Sequence, residues 1–250
     1  MPEFRTEVEA ARPELAPGTA VRLVTDADFA PYSFLSNAGA PAGLAVELAI
    51  AACDEAGLRC TVETRPFGEI METLARGEAD AAITGPRLDE DSLKSALMTR
   101  PYFRIMARFA ALAKSPLTAP DPQGLSGKRI AVVKDTVHAQ WLAAYYRDSG
   151  IVAVDTWAAA GEALRKGEAD ALFGDNLQTI YWVAGEASAA CCKLLGGAFS
   201  DFDYFSRNLS FLVRRDRADL RAALDYGLDK AQASGVTAKI IRTYVPLKPW

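Results

Sequence analysis

The chain has 250 residues, 50% of them hydrophobic and 24% charged, with a formal net charge of −4. No stretch approaches the ~18 to 20 unbroken apolar residues of a membrane span, and acidic and basic residues are interspersed without the basic stripe that pairs with phosphates, so a spanning helix and a nucleic-acid partner are both excluded. The length allows one large domain or two small ones, either with an adequate core.

In chain order, residues 1–20 lack the charged and apolar regions of a secretory signal, which leaves a cytosolic protein or an exported one without its leader. Val21–Thr25 is an apolar run of strand length, and Asp26–Tyr32 leaves its carboxyl end as a loop that Pro31 keeps out of helix. Apolar residues at Leu44, Val46, Leu48 and Ile50 mark a helix over Gly43–Ala56 ended by Gly57, followed by a strand over Cys60–Glu63. A helix over Phe67–Arg76 and a strand over Ala79–Ile83 complete a βαβαβ pattern, the sign of a doubly wound sheet. Ile105–Ala113 is a long apolar strand, and Lys114–Lys128, with its Pro, Gly and Ser, reads as a crossover. A second βαβαβ unit follows: strand Arg129–Val133, loop Lys134–Val137, helix Ala139–Asp148, strand Val152–Asp155, helix Trp157–Lys166 and strand Ala169–Phe173. A strand near Asn208–Val213 precedes helices over Ala218–Ala233 and Val236–Tyr244. With no third βαβ unit to join, this helical pair is expected to pack back on the first lobe, which makes two joining strands and hence a hinge.

One stretch occurs twice, ninety positions apart: Leu74–Gly85 reads LARGEADAAITG and Leu164–Asp175 reads LRKGEADALFGD. In each copy Gly77 or Gly167 is placed to cap a helix, and the apolar run beyond it reads as a buried parallel strand. Such a unit ends at the carboxyl edge of a sheet, where open α/β folds bind ligands. The first copy runs out into Thr84-Gly85-Pro86-Arg87 and the second into Asp175-Asn176, which are expected to form opposite walls of one cleft.

Cys53 and Cys60 flank a helix end and a strand start, a span that can bring their Cβ atoms together; two unrelated buried thiols fit the spacing equally well. A bond there would contribute about 2–3 kcal/mol, and such a pairing favours the exported reading. Cys191 and Cys192 are adjacent, a strained arrangement for a mutual bond, and read as core thiols. Trp141, Trp157 and Trp182 are expected to pack on the second-lobe sheet. His138 is the only histidine, so a metal centre or a Ser-His-Asp triad has little to work with; it reads as a surface residue, with a contact to the neighbouring cleft as the alternative. No cofactor motif or activated nucleophile is present.

From Val21 to Val245 the chain resembles the family 3 periplasmic solute-binding proteins of amino-acid ABC transporters, most closely the group for lysine, arginine, ornithine and histidine. The markers are Thr25-Asp26, Phe29-Ala30-Pro31-Tyr32, Gly43 through Leu48, the two Gly-Glu-Ala-Asp-Ala turns, Pro101-Tyr102-Phe103 and Leu125-Ser126-Gly127-Lys128. The resemblance implies an α/β fold of the type II periplasmic-binding-protein kind, two doubly wound lobes joined by a two-strand hinge. Lobe 1 would span 21–112 plus 206–250, lobe 2 would span 113–205, and residues 1–20 would be an extension. It further implies a periplasmic receptor, monomeric and not an enzyme, that closes on a small molecule and delivers it to a membrane permease. The Cys53 and Cys60 spacing matches a disulfide of that group, which favours the bond.

In that family two aromatics sandwich the ligand, and their positions hold Phe29 and Phe67; an aspartate accepting the α-ammonium falls on Asp175, and an acidic position that reaches a cationic side chain falls on Asp26. The pattern also departs. The arginine that clamps the α-carboxylate falls on Ser92, its helper threonine on Val137, a small hydroxyl residue on Arg87, an aspartate on Ala45 and a glycine on Asp135. The expected cleft residues are therefore Asp26, Phe29, Phe67, Thr84, Gly85, Arg87, Asp135, Thr136 and Asp175. A buried carboxylate needs a charge-assisted donor fork. Either Arg87 supplies it or the ligand has no α-carboxylate. The aromatic faces with Asp26, Asp135 and Asp175 suit a cationic or zwitterionic nitrogen compound. Plainer roles stand beside these: Phe29 and Phe67 as core aromatics, Asp135 as a helix N-cap, Asp26 as a loop cap, Arg87 in solvent. A sensor or accessory protein of the same fold, and a dehydratase-like enzyme using Asp26 and Asp175 as acid and base, are the alternative functions.

Overall fold

The computed structural model of the chain describes residues 14–83, 96–205 and 208–244. The first half builds β1 (Ala20–Thr25), three short strands β2 (Asp28–Phe29), β3 (Ser33–Leu35) and β4 (Pro41–Ala42), then α1 (Leu44–Glu55) and β5 (Arg59–Thr64). A 3-10 turn over Phe67–Glu69 runs into α2 (Ile70–Ala75), followed by β6 (Ala81–Ile83) and β7 (Ala96–Met98). The second half builds β8 (Ala107–Leu112), β9 (Arg129–Val133), α3 (Val137–Tyr145), β10 (Gly150–Val154), α4 (Trp157–Lys166), β11 (Ala171–Asp175), α5 (Asn176–Ala184) and β12 (Cys192–Phe199). The chain finishes through α6 (Phe202–Phe205), β13 (Phe211–Arg214), α7 (Ala218–Ala233) and α8 (Val236–Tyr244).

Two five-stranded sheets result, ordered β5-β1-β6-β13-β7 and β10-β9-β11-β8-β12. In each, the three strands of the βαβαβ unit are parallel, as their apolar runs require, and a crossing strand lies antiparallel beside them: β13 against β6, and β8 against β11. The sheets are therefore mixed. Strand β8, placed by sequence at the end of the first lobe, hydrogen-bonds wholly within the second sheet. The chain crosses between the sheets before Ala107 and again before Phe211. These two crossing segments pair with each other, Tyr102 N–H donating to the Leu209 carbonyl and Leu209 N–H to that of Phe103, both at 2.8 Å. The first joining segment thus lies ahead of the strand expected over Ile105–Ala113, and the second falls at Leu209, within the strand expected near Asn208–Val213.

The helices form where their apolar stripes say they should. In α4, Thr156 caps the start by accepting from Ala159 N–H at 3.1 Å, Trp157, Ala160 and Leu164 turn one face to the sheet, and Gly167 ends the helix at φ 73°, where a side chain would be strained. The repeated Gly-Glu-Ala-Asp turn has a structural task in both halves. Asp80 accepts from Arg22 N–H (2.9 Å) and Nε (3.2 Å) while Arg22 also donates to the Gly77 carbonyl; Asp170, Arg129 and Gly167 repeat the arrangement at 2.8 and 3.3 Å. Burial works against the Asp80 charge, yet the Arg22 bonds outweigh it and hold the carboxyl below its usual range. The Arg129 side-chain bond does the same for Asp170.

Cys53 and Cys60 are bonded, with Cα atoms 6.1 Å apart, tying α1 to β5. Cys191 and Cys192 are bonded too, which corrects their reading as core thiols. Ala189 and Ala190 both adopt left-handed backbone angles just before them, and this tight entry into β12 delivers the adjacent sulfurs to each other. No cysteine is free.

Candidate functional site

The carboxyl end of β1 lines one pocket with the neighbouring carboxyl ends of β9 and β11 in the other sheet, as open α/β sheets place their ligand crevices. Between them lies a pocket with about 440 Å³ of empty space, counting the mouth open to solvent. Asp26, Asp28, Phe29 and Phe67 line it from the first half; Thr136, His138, Trp157, Phe173, Gly174, Asp175 and Gln178 line it from the second, over Val132 and Val133.

The aromatic wall is held by the start of α1. Leu44 and Ala45 N–H groups, spare donors of the first helical turn, bind the Pro31 and Tyr32 carbonyls at 2.8 and 2.9 Å. Gly43 makes this possible: its φ is 125°, and a Cβ there would collide with the Pro31 and Tyr32 backbone. The loop so fixed stacks Phe29 on Tyr32 with ring centroids 4.5 Å apart. Phe29 is thus both a core aromatic and a pocket wall, while Phe67 is half-buried at the 3-10 turn. Asp26 is buried at the end of β1, where Ser33 Oγ donates to it at 3.1 Å.

On the facing side Asp175 ends β11 and caps α5, accepting from Gln178 N–H at 3.0 Å. It is only 2% exposed, and burial raises its carboxyl to about 7 in spite of the N–H groups of Gln178, Leu177 and Asn176 and the nearby Tyr32 hydroxyl. That hydroxyl lies beside the carboxylate without reaching good hydrogen-bond geometry. Among the described residues no lysine or arginine forms an ion pair with Asp175. The mouth is closed on one side by Asp28: its carboxylate takes the Trp157 N–H at 3.0 Å, a charge at the start of α4, and its carbonyl takes Gln178 Nε2 at 3.3 Å.

Of the sequence-predicted residues, Asp26, Phe29, Phe67, Thr136 and Asp175 meet in this pocket. Asp135 does not: it is exposed, with φ 59°, and the N-cap of α3 is Thr136, which accepts from Ala139 N–H. Thr84, Gly85, Arg87 and Ser92 lie outside the described residues. His138 is 3% exposed and lines the pocket, correcting its reading as a surface residue. Trp157 packs on the sheet as expected, over Gly174, and also forms part of the wall. Sequence reasoning missed Asp28 and Gln178. The signals for them are faint: an acid two residues past Asp26, and a polar side chain in the first turn of the helix that Asp175 caps. No group of His, Cys, Asp and Glu that could hold a metal occurs among the described residues.

Two sheets of like topology, crossed twice by the chain and enclosing an acidic, aromatic-walled pocket, define a bilobal ligand-binding protein. The chain belongs to the bacterial extracellular solute-binding proteins, family 3, whose model matches residues 21–246. It is similar to ABC transporter arginine-binding protein 1 of Escherichia coli (strain K12), at 26% identity over 226 residues and 90% of each chain. Its fold matches a periplasmic binding protein of Salmonella typhimurium described as having high arginine specificity, with TM-score 0.78 and 22% identity over 91% of this chain and 99% of that one. It likewise matches an ancestral arginine-binding protein bound to arginine, with TM-score 0.77 and 22% identity over 92% and 99%. Among the described residues no helix is long and apolar enough to cross a membrane.

Proposed function

We propose that the protein is the periplasmic receptor of an ABC importer, a monomer that captures a cationic or zwitterionic amino acid, of the arginine, lysine or histidine type, and hands it to a membrane permease. The single observation that carries this reading is Asp175, a buried carboxylate in an acidic pocket with no cationic partner among the described residues. A ligand ammonium placed there supplies the missing charge, and the faces of Phe29 and Phe67 flank it. Asp26 is the second acid in reach, for a cationic side chain. The relatives named for arginine support the class of ligand. Arg87 is the residue we assign to an α-carboxylate, since Ser92 has no guanidinium to offer.

The paired crossing segments at Phe103 and Leu209 form the hinge in this reading, with lobe 1 holding the first sheet and α7 and α8, and lobe 2 holding the second sheet. Opening there exposes Asp175, and closure around ligand seals it. The test is a thermal-shift screen of basic, neutral and acidic amino acids with betaines and opines. A ligand at 100 times its Kd stabilises by about 2.7 kcal/mol. A shift from a basic amino acid supports the proposal; a screen in which only acidic or uncharged compounds bind overturns it.

A further inference from the structure

We propose that His138 sets ligand specificity, its bare Nε2 accepting a hydrogen bond from an N–H or O–H donor on the bound molecule and so favouring donor-rich heads over methylated or anionic ones. This deepens the amino-acid reading of the cleft and rests on it. His138 enters in the first turn of α3, two residues after Thr136, and lines the same pocket as Asp175. The side chain is almost wholly buried, and Nε2 has no hydrogen-bond partner among the described residues. A buried polar atom left unpaired is costly, so native folds keep few of them without a use.

The surroundings decide which chemistry that nitrogen offers. The Met106 carbonyl lies beside the ring, and a neutral imidazole carries one N–H and one lone pair, so a ligand head that has donors only is met at Nε2 by the lone pair. The same carbonyl accepts from Asn176 N–H at 2.9 Å, so it also anchors the Asp175 helix. Phe205 and Phe173, with centroids 5.4 and 6.0 Å from the ring, hold its plane. Burial in this setting lowers the imidazole to about 4, which keeps it neutral beside a cationic ligand across the physiological range. Among the described residues Asp26, Asp28 and Asp175 are the other titratable groups lining the pocket, and all three are acceptors when ionised. A neutral acceptor among carboxylates matches a guanidinium or ammonium, which has donors only.

His138 is the only histidine, so imidazole-labelled protein gives one set of ring nitrogen signals. The probe is L-arginine, with L-lysine and L-ornithine in parallel. At pH 7 the free protein is expected to show one pyridine-like nitrogen, and saturation should move that signal in the hydrogen-bonding direction while the protonated nitrogen stays put. His138→Gln, which keeps an acceptor, is expected to bind within about threefold of the parent, and His138→Phe to lose at least tenfold. Both variants are first checked for a cooperative thermal transition. If His138→Phe does not fold, the nitrogen shift and the His138→Gln affinity decide. A ring signal unmoved by saturating ligand, or His138→Phe binding as tightly as the parent, overturns the inference while leaving the cleft reading intact. Failure of all three amino acids to bind the parent overturns both.

Discussion

Asp175→Asn should push binding and stability in opposite directions, a pairing that a merely structural aspartate would not give. Burial raises the Asp175 carboxyl from 3.8 to about 7. Three units correspond to about 4 kcal/mol at 1.36 kcal/mol each, an upper bound on the cost of keeping the charge in the ligand-free fold. The sign follows from proton binding. The folded state holds this proton more tightly than the unfolded chain, so the contribution is most favourable below about pH 4, declines as pH rises to about 7 and is flat above. Asn cannot ionise and still caps α5 through the Gln178 N–H, so the variant should gain on the parent at pH 8 and much less at pH 5. Binding runs the other way. A desolvated ligand cation that loses its partner costs about 2–5 kcal/mol, a thirtyfold to several thousandfold drop in affinity. The parent should also bind about tenfold more weakly for each pH unit below 7, and the variant should not. Urea unfolding at pH 5 and 8 with calorimetry over the same range reads all of this. An Asn variant that binds as tightly as the parent, or parent affinity flat from pH 5 to 8, would refute the reasoning.

Gly43→Ala should destabilise by more than about 1 kcal/mol and weaken ligand binding, because the strained φ and the collision with Tyr32 displace the Phe29 loop; equal melting temperatures would contradict this. Thiol labelling of unfolded, unreduced protein should find no reactive cysteine, and four after reduction, whereas two before reduction would remove the Cys191–Cys192 bond. Arg87→Ala should cost a large share of affinity for an α-amino acid and Ser92→Ala less than about 1 kcal/mol, since a hydroxyl offers at most one neutral bond; calorimetry showing the reverse order would reassign the carboxylate clamp. Small-angle scattering should show compaction from an open ligand-free state on ligand addition, and an unchanged radius of gyration would count against hinge motion.

Much of the fold was legible because two signals agreed within each half: apolar runs of strand length and helical stripes ended by Gly57, Gly77 and Gly167, all with left-handed φ. What escaped were long-range pairings, which period and propensity do not encode. Strand β8 is as apolar as a parallel strand, and only its hydrogen bonds to β11 and β12 place it antiparallel in the second sheet. Helix α5 and strand β12 went unread because Asp175-Asn176 marks a cleft edge as well as a helix start. At the site, Asp26, Phe29, Thr136 and Asp175 lie where loops leave strand ends, while the ligand-binding roles expected of Asp26, Phe29, Phe67 and Asp175 came from the resemblance to the family. Asp28, Trp157 and Gln178 were not assigned to the pocket, because they meet there through bonds between distant parts of the chain, Trp157 N–H and Gln178 Nε2 both donating to Asp28, and His138 was given a cleft contact only as the alternative to a surface position. Asp135 sits beside the site in sequence, but its left-handed backbone turns it to solvent.

The central claim is that Asp175 anchors a ligand cation between Phe29 and Phe67. A crystal structure of the protein with the tightest-binding basic amino acid tests it most directly. The account predicts the ligand's ammonium within about 3 Å of an Asp175 carboxylate oxygen, with the two rings on either side. A ligand seated elsewhere, or one whose anionic end faces Asp175, would contradict it.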